Sequence, residues 1–292
     1  MKTTSLILIC AMVVLLLAGC GSAAPACDIA ATTLPVYQFT SMITEGTGLT
    51  VTRLVTESVS CLHDYSLNVR QVKAAESASL IVINGAGLEE FMEDILHNKQ
   101  TIDASVGIAL PESCHGHEHN AHDGHDHDVD NHIWLSPANA MMMVTNIFNG
   151  LQAAYPQHKD TMERNYILIL TKLKALLDYG NEQLADLKCR ELITFHDGFG
   201  HFAQCFDLQI LAAVEEESGS ETSAHQLIEL IEMVEHHHVP AIFTETNGSD
   251  ASARVICAET GVKLYTLDMA MAGDDYFAAM RHNIDTIREA LS

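Results

Sequence analysis

From Asp28 to the C-terminus, short apolar runs alternate with longer stretches of helical periodicity, and no other feature narrows the available folds as far. A strand that returns parallel to its neighbour needs a crossover of a dozen or more residues, so this alternation predicts βα units and parallel sheets. The strand candidates are "LTVTRLV" (49–55), "SLIVINGA" (79–86), "SVGIAL" (105–110), "ELITFH" (191–196), "PAIFTET" (240–246) and "VKLYTLD" (262–268). Over 156–187 the alternation stops, and Met162, Tyr166, Ile169, Leu170, Leu173, Leu176 and Leu177 recur at helical spacing. That segment is predicted as one long linking helix between an α/β half over 27–155 and a second of comparable plan over 188–292. A chain of 292 residues, more than one hydrophobic core usually serves, agrees with the division.

Helix-end signals in the second half support it. Ser223 and Gln226 have the spacing of a capping box ahead of Leu227, Leu230, Ile231 and Val234. Ser249 or Asp250 can cap "ASARVICAET", and Gly261 follows where a left-handed residue is expected. His236, His237 and His238 fall at a predicted helix end, where cationic side chains suit the dipole, so they read as capping rather than metal binding.

The N-terminus points outside the cytoplasm. Residues 1–19 carry Lys2, an apolar run from Leu6 to Leu17 and then small residues, which reads as a signal peptide. The run is shorter than the ~20 residues of a membrane span, so cleavage is expected. "LAGC" resembles the bacterial lipobox, which implies lipidation of Cys20, and residues 21–26 then form a tether to the cell membrane. Six cysteines remain, Cys27, Cys61, Cys114, Cys189, Cys205 and Cys257, and six allow fifteen pairings. No CxxC occurs, so these thiols read as structural or free, with Cys61 and Cys114 each close to a histidine. With 15 Lys and Arg against 39 Asp and Glu, the formal charge of -24 excludes nucleic acid as a direct partner and favours cations.

One stretch concentrates metal-ligand chemistry. Between "SVGIAL" and "HIWLSP" lies a His-rich loop, 114–131, of about twenty residues, a length that is normally functional or disordered. His115, His117, His119, His122, His125 and His127 are spaced by Gly, Asp, Glu and Asn, with Ala121 as the only apolar residue between them. Such a segment cannot pack a core, and it reads either as auxiliary, weak metal binding or as a solvated loop without a role of its own. His132 belongs to the folded part that follows. In an open parallel sheet ligands bind beyond the carboxyl ends of strands, where His196 and Asp268 end two predicted strands. His63 in "CLHDYSL" and His132 lie on loops of the first half. Three neutral imidazoles and one carboxylate make a tetrahedral set that suits Zn²⁺ better than Mn²⁺.

The stretches "HDYSLNVRQVKAAESASLIVINGAGLEEFM", "HIWLSPANA", "ITFHDGFGHFA", "IFTETNGSDASARVICAETGV" and "YTLD", in this order, resemble the zinc and manganese substrate-binding lipoproteins of bacterial ABC transporters, the cluster A-I, ZnuA/TroA-like family. The resemblance runs from Cys27 to the C-terminus. It implies two α/β lobes joined by a rigid helix, with metal in the interlobe cleft, small rearrangements on loading, and His63, His132, His196 and Asp268 as ligands. It further implies a monomeric receptor that captures Zn²⁺ outside the cell and hands it to a membrane permease, without catalysis. Histidine rather than glutamate at the third ligand position favours zinc over a manganese receptor. Leu62, Leu67, Val69 and Met269 depart from the family pattern, Leu62 and Met269 each standing where proline is common. These changes affect loop stiffness more than ligand chemistry. They leave Glu245 or a water as alternatives to Asp268, with Glu245 otherwise a supporting acceptor.

Two other classes stay open at this level. A zinc hydrolase would use Asp197 or Glu245 as base, although no HExxH occurs. A zinc buffer or adhesin would act through the His-rich loop alone. His201, five residues after His196, reads as packing or support for the site.

Overall fold

Parallel strands, the central ones buried on both faces, organise the computed structural model, which describes residues 27–57, 62, 65–111, 129–215, 222–271 and 273–292. The first half runs β1 (Ile29–Ala31), α1 (Leu34–Thr44), β2 (Val51–Arg53), α2 (Val69–Ser77), β3 (Leu80–Ile83), the single turn α3 (Glu93–Leu96), β4 (Thr101–Asp103) and α4 (Pro137–Ala154). The helix α5 (Lys159–Gln183) follows. The second half runs β5 (Glu191–His196), α6 (Gly200–Cys205), β6 (Gln209–Glu215), α7 (Ala224–His237), β7 (Ala241–Glu245), α8 (Ala251–Thr260), β8 (Lys263–Leu267) and α9 (Tyr276–Leu291).

The strands form two four-stranded parallel sheets with one plan, β2-β1-β3-β4 and β6-β5-β7-β8. In each, strand order reverses beside the first strand, so a crevice opens beyond the carboxyl ends of β1 and β3 and of β5 and β7. Strand β4 lies at Thr101–Asp103, ahead of the predicted 105–110. Asp103 Oδ1 accepts from both the backbone N and the Oγ of Ser105, and Gly107 at φ 78° turns the chain, so "SVGIAL" cannot stay extended. Strands β1 and β6 have no counterpart among the predicted runs.

Side chains alternate along the strands as a twice-covered sheet requires. Leu192 of β5 and Phe243 of β7 face inward, while Ile193, Phe195 and Ile242 pack outward against Leu230 and Val234 of α7 and Ala253 and Ile256 of α8. In the first sheet Ile29 and Val82 face inward, and Ala30 and Ile81 meet Ala75 and Met92 on the outer side. The inward faces of both sheets belong to one continuous core with Phe39, Trp134, Leu173, Tyr276 and Ile287. Helix α5 buries Met162, Ile169, Leu173 and Leu176 in it, and packs against α1 and α4 of one lobe and α9 of the other. Fully burying one such side chain stabilises by about 1.5–3 kcal/mol.

Polar contacts cross the same boundary. Trp134 Nε1 donates to the carbonyl of Met269 (2.7 Å), and Tyr276 OH donates to the carbonyl of Trp134 (2.8 Å). Arg53 donates to the carbonyls of Met271 and Gly273. The capping box at Ser223 and Gln226 forms as expected, and Gly261 ends α8 at φ 77°. At the start of α8 it is Ser249 Oγ that accepts, from Ala251 N, while the Asp250 carboxylate pairs with Arg254. His236 and His237 lie in the last turn of α7, and His238 follows at φ 57°. Among the described residues no helix is long and apolar enough to cross a membrane, and Cys27, Cys189, Cys205 and Cys257 carry free thiols.

Candidate metal centre

Strand β5 ends on His196, which points into the crevice beside β7 and is 2% exposed. A 3₁₀ turn over Ile133–Leu135 begins directly after His132, which is 4% exposed. These two imidazoles, one from each half, meet edge to face with Nε2 atoms 3.2 Å apart. Gly198 keeps the space beside them: a Cβ there would lie 2.8 Å from His196 Cδ2, 3.0 Å from His132 Cε1 and 2.7 Å from Met269 Cε.

The orientation of His132 is set by Asp130, itself buried. Asp130 Oδ1 accepts from His132 N (2.9 Å) and lies 2.9 Å from His132 Nδ1. A carboxylate facing Nδ1 favours the proton on that nitrogen and leaves Nε2 as the lone-pair donor. Burial works to raise the Asp130 carboxyl, but the contacts with His132 and His201 outweigh it and hold it at about 2. His201 is committed to packing. Asn139 Nδ2 donates to its Nδ1 (3.0 Å), so its Nε2–H donates to the carbonyl of Asp130 (2.9 Å).

Further support comes from the ends of β1 and β3. The fully buried Glu89 accepts from Thr32 Oγ1 (2.7 Å), Asn84 N (2.7 Å) and Gly85 N (3.0 Å). Burial pushes its carboxyl up to about 7 despite these donors. Asn84 Nδ2 then donates to the carbonyl of Asn131 (3.2 Å), fixing the residue before His132.

Glu245 is buried at the end of β7, with Oε2 4.0 Å from His196 Nδ1. Asp268 is half-buried just beyond β8. Its backbone is held on both sides by Asn283, and its Oδ1 accepts from Ala270 N (2.7 Å) in the turn that brings Met269 beside the imidazoles. Among the described residues, no three His, Cys, Asp or Glu side chains gather around one point. Of the candidate ligands, the described residues bring His132 and His196 together. His63, the histidines from His115 to His127, Cys20, Cys61 and Cys114 lie outside the described residues. Sequence reasoning missed Asp130, Asn139, Asn283 and Glu89. For Asp130 the available signal was an acid two residues before a candidate ligand, a spacing at which Asp readily accepts from backbone N–H.

Comparison with known proteins identifies the family to which this fold belongs. The ZnuA family profile, described as zinc-uptake complex component A, periplasmic, matches residues 29–290. A putative metal-binding protein of Treponema pallidum is 32% identical over 79% of this chain and 77% of its own. The zinc-binding lipoprotein AdcA of Streptococcus pneumoniae serotype 4 is 29% identical over 99% of this chain, which spans only 61% of that relative's length. A crystal structure of ZnuA superposes with a TM-score of 0.77 at 27% identity, covering 90% of this chain and 99% of that one. With its two like sheets, its linking helix and a profile match along nearly its whole length, this chain belongs to the ZnuA family.

Proposed function

We propose that this chain is an extracytoplasmic receptor, lipid-anchored at Cys20, that captures Zn²⁺ between its lobes and delivers it to an ABC permease in the membrane without catalysing a reaction. The observation that carries the reading is the Nε2 separation of 3.2 Å between His132 and His196. Two nitrogens at ~2.0–2.1 Å from one tetrahedral zinc stand about 3.3 Å apart, so this pair needs almost no movement to share the ion. His63 and Asp268 complete the proposed set, with Glu245 or a water as the alternative to Asp268. Borderline-soft imidazoles favour Zn²⁺ over Mn²⁺. The zinc named in the family's description and in that of AdcA supports the same choice. The proposed organisation is a signal peptide over 1–19, lipidated cysteine and tether over 20–26, lobes over 27–155 and 188–292, and a linker over 156–187. The shared core favours local ordering over wide hinge closure when metal enters.

The test is calorimetric titration of the demetallated, mature protein with Zn²⁺ and Mn²⁺, repeated with His63→Ala, His132→Ala, His196→Ala and Asp268→Ala. Loss of the tight zinc site in the His132 and His196 variants is expected, and full affinity in both would sink the reading. Deleting residues 115–127 separates a receptor, which keeps one tight site, from a buffer, which loses nearly all its zinc.

A further inference from the structure

We propose that Asp130 is a positioning residue: seated by the second lobe, it fixes the tautomer and ring orientation of His132 so that Nε2 faces His196 before any metal arrives. This rests on the reading of His132 as a ligand. Asp130 is 4% exposed, and its main chain is pinned from both sides, its N–H donating to the carbonyl of Pro111 (3.1 Å) and its carbonyl accepting from His201 Nε2 (2.9 Å). One carboxylate oxygen serves both His132 N and His132 Nδ1, and the other accepts from the backbone N of His201 (3.3 Å). The opposite lobe is shaped to receive that second oxygen, since a Cβ at Gly200 would fall 2.6 Å from it. A rotation of the carboxylate would break the bond from His201 N of α6, and a rotation of the imidazole would break its bond to the carboxylate. Docking of the lobes and orientation of the ligand become one event. A carboxylate behind a ligating imidazole also raises its basicity, and losing such a partner typically costs roughly 10- to 100-fold in metal affinity.

The experiment uses the metal-free, ¹⁵N-labelled mature protein, with the His132 signals assigned by their loss in His132→Ala. Long-range ¹H–¹⁵N correlation spectra are expected to show His132 with its proton on Nδ1. Asp130→Ala should move the proton to Nε2, or to a mixture, and weaken Zn²⁺ binding roughly 10- to 100-fold. Asp130→Asn, whose amide oxygen can still accept from His132, should keep the tautomer and recover most of the affinity. Gly200→Ala, which keeps both side chains but must displace Asp130 Oδ2, should weaken zinc in the same direction; with Asp130→Asn it carries the test if Asp130→Ala does not fold. An unchanged tautomer in Asp130→Ala overturns the proposal whether or not zinc affinity falls, because a fall alone would report only general disruption. If His132→Ala itself bound zinc normally, the ligand reading would fail instead, while the tautomer shift in Asp130→Ala would still report the positioning.

Discussion

Gly198 sits where two imidazoles and a methionine methyl converge, and its missing side chain is a condition of the site. A methyl added there must displace Met269 Cε, His196 or His132, all of them buried. Overpacking of this kind costs about 1–3 kcal/mol. Gly198→Ala is therefore expected to lower the melting temperature of the metal-free protein modestly and to weaken zinc by about tenfold, the equivalent of about 1.4 kcal/mol. Calorimetry on both states checks it, and an unchanged zinc affinity would mean that the rings have room to spare. At this scale the sequence singles out His196 because strand-end position and ligand type coincide in it, whereas His132, on a loop, stands out by the "HIWLSP" stretch that follows the His-rich loop. It hides Asp130, which stands among several acids of the "HDGHDHDVDNH" run with nothing in composition to single it out. Beyond its spacing from His132, its contacts with His132 and with His201 of the other lobe distinguish it.

Elements rather than single contacts decide where the first-lobe crevice opens. Glu89 gathers the ends of β1 and β3 through Thr32, Asn84 and Gly85. Its folded-state pKa of about 7 lies above the ordinary 4.5, so between those values the native state binds more protons than the unfolded chain. Its contribution is then fully present below pH ~4.5 and is lost as pH rises through ~7. A tenfold difference in proton affinity between the folded and unfolded chain is worth about 1.4 kcal/mol, so relative to wild type Glu89→Gln should gain up to about 3 kcal/mol between pH ~4.5 and ~7. Urea titrations of both proteins at several pH values measure it, and parallel pH profiles would contradict the assignment. Helix α7 offers a control remote from the imidazoles: Ser223→Ala removes the cap accepted from Gln226 N and should cost about 1 kcal/mol with zinc affinity unchanged. Most elements were legible because their apolar periods are long enough to count. Strand β1 was not, since three residues, Ile29–Ala31, cannot display alternation. Strand β6 reads as an apolar run that periodicity assigns to helix or strand with equal ease.

At the scale of the molecule, the repeated sheet order was foreshadowed by the doubled βα pattern, but the shared core was not. Periodicity says that a face is apolar and not which face it meets. Trp134, Tyr276 and Phe39 join the lobes through hydrogen bonds and an edge-to-face ring contact of 5.0 Å, and α5 runs along both. Lobes tied in this way should unfold together, and a metal held by His132 and His196 would stabilise that single unit by mass action. At a free zinc concentration about 100 times the dissociation constant the gain is about 2.7 kcal/mol, a rise of roughly 5 °C for a chain of this size. Scanning calorimetry should show one transition moved upward by zinc. The shift should vanish in His132→Ala and His196→Ala. Two transitions with zinc moving only one would place the metal within a single lobe, leaving the contact between His132 and His196 a packing feature of the interface.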